Sequence, residues 1–222
     1  MSFAKPELIN HIVVATHLCF CVCALGFLVW LRILRAPHDR SLQSIVYGVC
    51  LFLCGLCSYL YTTRYEDVPV TLLRHLDHAA IFLLIAGTYT PFATREIYGP
   101  FKIRLLYWVW GLALIGIVLS LMTKKGQDVI FVALYVGLGW VFLTAIRDVL
   151  HHISVFSLIF LAAGAAIYSI GAILFALDLT VWTDPIWHAC VIAAAILHFV
   201  SVIGLLTRNQ PEKAEFSKSR LA

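Results

Sequence analysis

Four side chains far apart along the chain carry chemistry that an apolar protein seldom tolerates: Ser58, Asp77, Asp184 and His188. Asp77 stands in Arg74-His75-Leu76-Asp77-His78 at the mouth of an apolar run, Ala79 to Phe92. A charge within such a run costs about 2.5–3.5 kcal/mol on insertion scales, so ionisable groups there are functional-site candidates by default. Ser58 and Thr62 are i, i+4 neighbours on one helix face, and so are Asp184 and His188 if Asp184 lies in the first turn. A carboxylate, an imidazole and hydroxyls gathered in a low dielectric form a buried network whose hydrogen bonds strengthen one another. His198 is set apart: ten residues beyond His188, it falls about 15 Å deeper and is rotated by about 80°, which predicts a separate polar contact.

The elements that must bring these residues together are read from the apolar runs. Hydrophobic residues make up 62% of the 222, and charged ones 13%, about half the share a soluble domain carries. Runs of the roughly 17–25 residues needed to cross a bilayer fall at 11–31, 42–63, 76–94, 104–122, 128–146, 154–177 and 186–206. They are separated by short breaks holding Pro37, Pro69, Pro100 and Gly126, among others. The runs lack the period-2 alternation of a barrel strand. The fold expected is therefore an all-α integral membrane protein, a seven-transmembrane-helix bundle over residues 1–207, with a polar, disordered tail at 208–222. The first run ends in Arg32 and Arg35 and has no small-x-small cleavage site, so it is expected to stay as a helix. If the spans alternate in direction, the end of the second and the starts of the third and seventh meet at one surface, which gathers the four residues.

Other features weigh less. The seven cysteines, Cys19, Cys21, Cys23, Cys50, Cys54, Cys57 and Cys190, all fall inside spans and are expected as free thiols. Cys50, Cys54 and Cys57 share a helix face, a spacing open to a soft metal or thiol redox chemistry but suited first to close helix packing. A formal charge of +4 implies no nucleic acid, because the basic residues sit at helix ends. Eleven Lys and Arg (Arg32, Arg35, Arg40, Arg95, Lys102, Arg104, Arg147, Arg208, Lys213, Lys218, Arg220) fall on one side of the membrane, and five on the other. The positive-inside rule then places the tail in the cytoplasm. Trp108, Trp110, Trp182, Trp187, Tyr98 and Tyr107 fall where interfacial aromatic belts are expected. Gly164 and Gly171 with Tyr168 read as a close helix contact with a polar handle.

Several segments together resemble the hemolysin III family, the bacterial branch of the superfamily that includes the progestin and adipoQ receptors. They are Ser58-x-x-Tyr61; Leu76-Asp77-His78-x-Ala80-Ile81-x-Leu83-Leu84-Ile85-Ala86-Gly87-Thr88-Tyr89-Thr90-Pro91-Phe92; Tyr135-x-x-x-Gly139-Trp140; Gly164-x-x-x-Tyr168-x-x-Gly171-x-x-x-Phe175; Ile186-Trp187-His188; and His198-Phe199. The resemblance implies a zinc site near one face, built from a Ser and a His of the second span, an Asp of the third and two His of the seventh. Ser58, Asp77 and His188 match three of these, whereas Thr62 and Asp184 stand where the family has His. The family's first-span pattern is echoed only by Glu7-x-x-Asn10 and by Thr16-His17 farther on.

With one imidazole retained, His188, Asp184 and Asp77 would form a one-His, two-carboxylate set, harder than three imidazoles and better suited than they to manganese, iron or a weakly held zinc; a hydrogen-bonded network of Ser58, Asp77, Asp184 and His188 that has lost the metal is the other reading. His75, His78 and Glu66 lie near enough to be considered as replacements. The resemblance implies a resident multi-pass protein of the cell membrane, the inner membrane for a bacterial member, acting in membrane or lipid homeostasis with membrane lipids, or a fatty-acyl ligand in the bundle, as partners. An alternative is metal-dependent lipid amide hydrolysis with Asp77 and Ser58 as the catalytic pair; a cytolytic role ranks last. The relatives' orientation, with the amino terminus and metal face in the cytoplasm, opposes the charge count.

Overall fold

Prolines and a serine set where the helices start. Pro6 and Pro100 occupy first-turn positions, where a missing N–H costs nothing. The carbonyl of Pro69 accepts the N–H of Leu72 and Leu73 at 2.9 and 3.1 Å, and Ser154 caps its helix by accepting the Ser157 N–H on its hydroxyl at 3.1 Å. The computed structural model describes residues 6–33, 38–63, 68–96, 100–122, 128–145, 153–177 and 182–207. The helices are α1 Pro6–Ile33, α2 His38–Thr63, α3 Val70–Glu96, α4 Pro100–Met122, α5 Asp128–Gly139, α6 Val155–Leu177 and α7 Thr183–Thr207. The tail from 208 and the Glu66 position lie outside the described residues.

Consecutive helices pack side by side, and α7 returns to α1 to close a ring. α3 also touches α5 and α7, which makes it the pivot of the bundle. Among the described residues six helices are long and apolar enough to cross a membrane, and the seventh crossing is the shorter apolar stretch Ile130–Thr144. The protein is thus an all-α seven-span membrane bundle.

The expected continuous span at 128–146 is broken. α5 has 12 residues, about 18 Å at 1.5 Å per residue, short of a hydrocarbon core of about 30 Å. The chain turns at Trp140 and continues as a 3-10 helix, Val141–Ala145. Exposed backbone groups at such a break are untenable in lipid unless a neighbour satisfies them, and here the neighbour is Tyr89 of α3. Its hydroxyl lies 2.7 Å from the Gly139 carbonyl and 3.1 Å from that of Leu138, and accepts the Phe142 N–H at 2.9 Å. The Trp140 indole N–H donates to Ser169 of α6 at 2.9 Å, fixing the turn from the other side.

α6 and α7 pack most closely, through small residues. A Cβ at Gly164 would overlap the His198 ring, and one at Gly171 would overlap Cys190. Ser157 and Ser201, both fully buried, each donate to the other's carbonyl, at 3.2 and 2.6 Å.

Candidate functional site

α2 turns a polar stripe inward. Ser44, Tyr47, Leu51, Cys54 and Ser58 are all buried, as the i, i+3, i+4 periodicity of one face requires. Its last member meets α3, where the Ser58 hydroxyl donates to the Asp77 carboxylate. Both residues are 8% exposed. Asp77 does not begin its span: with α3 starting at Val70 rather than 76, it sits two turns inside the helix. The expected pairing of the second and third spans therefore holds, at a greater depth.

His188 lies near the start of α7 and meets a residue from a fourth helix. The His17 ring of α1 stands edge-on to it, with centroids 4.9 Å apart and planes at 80°. His17 is buried, on a stripe with Val13, Phe20, Cys21, Ala24 and Phe27. Gly55 of α2 lets Cys21 approach closely, and since α1 and α2 run antiparallel, His17, one turn before Cys21, stands at the level of Ser58, one turn beyond Gly55. The structure thus holds Ser58 against Asp77 and His188 against His17 at one end of the bundle. Asp184 is in the first turn of α7, as expected, and its side chain lies outside the described residues.

The Thr16-His17 echo of the family's first span does not by itself assign His17 a partner on α7. The signal was there: it is the one imidazole on the apolar, inward stripe of the first span.

The other candidate donors are engaged elsewhere. The Thr62 hydroxyl donates back to the Ser58 carbonyl at 2.8 Å. His78 Nδ1 lies 2.8 Å from the Tyr135 hydroxyl, with its ring against Phe131. His198 Nε2 lies 3.1 Å from the Leu161 carbonyl of α6, the separate contact its position predicted. All seven cysteines are free thiols. A catalytic zinc normally takes three protein ligands, and among the described residues no three His, Cys, Asp or Glu side chains are grouped to hold an ion.

Beneath the two pairs lies a cavity of about 90 Å³. Ile81, one turn below Asp77, and Trp187, beside His188, line its near end, and Leu161 and His198 its depth. Gly139, Trp140 and Phe142 contribute the broken α5. Trp187 is 9% exposed and packs on Phe175, so it belongs to the bundle rather than to the expected interfacial belt. Trp110 also turns inward, donating to Thr90 at 3.2 Å, whereas Tyr107 and Trp108 face outward.

An all-helical seven-span bundle with a buried hydroxyl–carboxylate pair and an imidazole near one face, above an apolar cavity, defines a class of polytopic membrane proteins. The family model described as haemolysin-III related matches residues 6–199, and the chain belongs to that family. It is similar to Hemolysin-3 of Bacillus cereus, 32% identical over 205 residues that cover 91% of this chain and 92% of that protein. It is also similar to the Hemolysin-3 homolog of Bacillus subtilis (strain 168), 31% identical over 208 residues, 91% and 95% of the two chains. A more distant relative is the Drosophila melanogaster adiponectin receptor protein, 26% identical over 217 residues, 83% of this chain and 48% of that one. No solved structure matches the chain.

Proposed function

We propose that this protein resides in the cell membrane, receives one end of a lipid acyl chain in its cavity, and acts in membrane lipid homeostasis. The observation that carries this reading is the cavity itself, lined largely by Ile, Leu, Ala and aromatic side chains between helices that already face lipid. An apolar cavity of roughly 150 Å³ admits benzene and stays dry without it, so one of about 90 Å³ suits one end of a chain, with the remainder in the bilayer. Left empty, its lining forfeits dispersion contacts, which favours an occupant. The Ser58–Asp77 and His17–His188 pairs then stand above the cavity as a hydrogen-bonding rim.

The test is native mass spectrometry of the protein extracted from its membrane. A bound single-chain lipid is expected in the wild type, and its loss in Ala165→Phe and Ala172→Phe, which fill the cavity from α6. An empty wild-type protein, or lipid retained in both variants, would overturn the reading.

Metal-assisted hydrolysis of a lipid amide, with zinc or another divalent ion, has one observation on its side: the second imidazole that His17 brings to His188. Metal analysis distinguishes the two. One ion per chain, lost in both His17→Ala and His188→Ala, would favour the hydrolase.

A further inference from the structure

Two phenols in the middle of the bundle carry more polarity than their packing uses. Tyr47 of α2 is fully buried, its ring against Phe27, and its hydroxyl has no hydrogen-bond partner among the described residues. A buried hydroxyl left unpaired carries its full desolvation penalty, and a phenylalanine would fill the same space without it. Tyr168 of α6 lines the cavity beside His198, with ring centroids 5.5 Å apart, and packs against the buried cluster that holds Tyr47 and Cys54. No hydrogen bond from the Tyr168 hydroxyl occurs among the described residues. Every other polar side chain on the cavity wall is engaged: Thr88 and Ser169 with their own helix, Tyr89 with the α5 break, Tyr135 with His78, Trp140 with Ser169, and His198 with Leu161. Native proteins leave few such groups unsatisfied, and each calls for a reason, of which an occupant is one.

We propose that Tyr168, with Tyr47 behind it, forms the head-group site for a single-chain lipid with a small uncharged hydrogen-bonding head, such as a fatty alcohol or a primary amide. This rests on the cavity's being a lipid site and specifies which end of the lipid enters. Charge selects the class: among the described residues no Lys, Arg, Asp or Glu lines the cavity, so a carboxylate there would be a buried charge without a charged side chain to pair it. An alcohol hydroxyl both accepts from one phenol and donates to another, and a primary amide does so through its carbonyl and its N–H. The volume agrees, since a small head and its first carbons fit where a sugar or phosphodiester head does not.

The experiment titrates the full-length protein in detergent with dibromostearyl alcohol or dibromostearate, at alkaline pH where the acid is ionised, and follows bromine quenching of the tryptophans, of which Trp140 and Trp187 line the cavity. Expected are quenching by the alcohol with a Kd at least tenfold below that of the acid, and loss of that preference in Tyr168→Phe and Tyr47→Phe with quenching retained. Tyr47→Phe, which removes an unpaired hydroxyl, is also expected to raise the melting temperature of the lipid-free protein. No quenching by either chain would overturn the lipid reading of the cavity, and this inference with it. Quenching with equal affinities, or a preference unchanged in both Phe variants, would overturn this inference and leave the cavity reading standing. A Tyr47→Phe protein that melts lower and keeps the preference would show that its hydroxyl serves the fold instead.

Discussion

Replacing Tyr89 by Phe tests how the broken fifth span is held. The substitution keeps the ring and deletes one oxygen, so it opens no cavity and isolates the contacts at Gly139 and Phe142, 2.7 and 2.9 Å away. A net hydrogen bond between membrane helices averages about 0.6 kcal/mol, which alone would make the change small. The partners, however, are backbone groups at a break in the helix ladder, where neither water nor lipid replaces the lost bond. Each such group left unsatisfied costs about 1–3 kcal/mol. With one carbonyl and one N–H stranded, Tyr89→Phe is expected to destabilise the protein by about 2–4 kcal/mol. The assay is reversible unfolding in mixed micelles of mild detergent and dodecyl sulfate, followed by tryptophan fluorescence, to which Trp140 at the turn contributes. A loss below about 0.5 kcal/mol, within the range of an ordinary surface substitution, would refute the reasoning and mean that the break satisfies its own backbone.

Three further outcomes are expected. Gly164→Ala, whose Cβ meets the His198 ring, should destabilise by about 1–3 kcal/mol, whereas Gly111→Ala, with open space around it, should stabilise by about 0.5–1 kcal/mol; the same unfolding titration must return opposite signs. Ser58→Ala, which deprives a buried carboxylate of a donor, should cost about 1.5–3 kcal/mol, and Thr62→Ala, whose hydroxyl only folds back on its own helix, less than about 0.5 kcal/mol; equal losses would refute the pairing. A fluorescent-protein fusion at Ala222 should glow if the charge imbalance governs insertion, and a dark fusion that regains signal with a periplasmic reporter would support the opposite orientation.

Much of this arrangement could be read from the residues before any coordinates. Apolar run lengths fix the number of crossings, and alternation of direction is enough to bring Ser58 to Asp77, because both lie in the same half of the membrane and the second and third spans are neighbours. The break at Trp140 was hidden because Val141 to Ala145 is as apolar as the helix before it; only a hydroxyl from residue 89 makes the interruption tolerable, and that is a tertiary fact. His17 was missed for a related reason. Its meeting with His188 depends on the ring closing from α7 to α1, a contact between the two ends of the chain that periodicity within either helix does not encode. Trp187 and Trp110 were read as belt residues from their distance to helix ends, yet the direction a side chain faces is set by its neighbours.

The close fit of α6 and α7 has a consequence for the cavity between them and α5. With glycines against His198 and Cys190 and reciprocal serine bonds at 157 and 201, neither helix has room to slide along the other without steric overlap. That pair is a stiff wall. α3 supplies a second firm side through Ile81 to Ala93, and the remaining side is a twelve-residue helix and a short 3-10 turn joined by a few hydroxyl and indole contacts, so whatever give the chamber has belongs to the fifth segment.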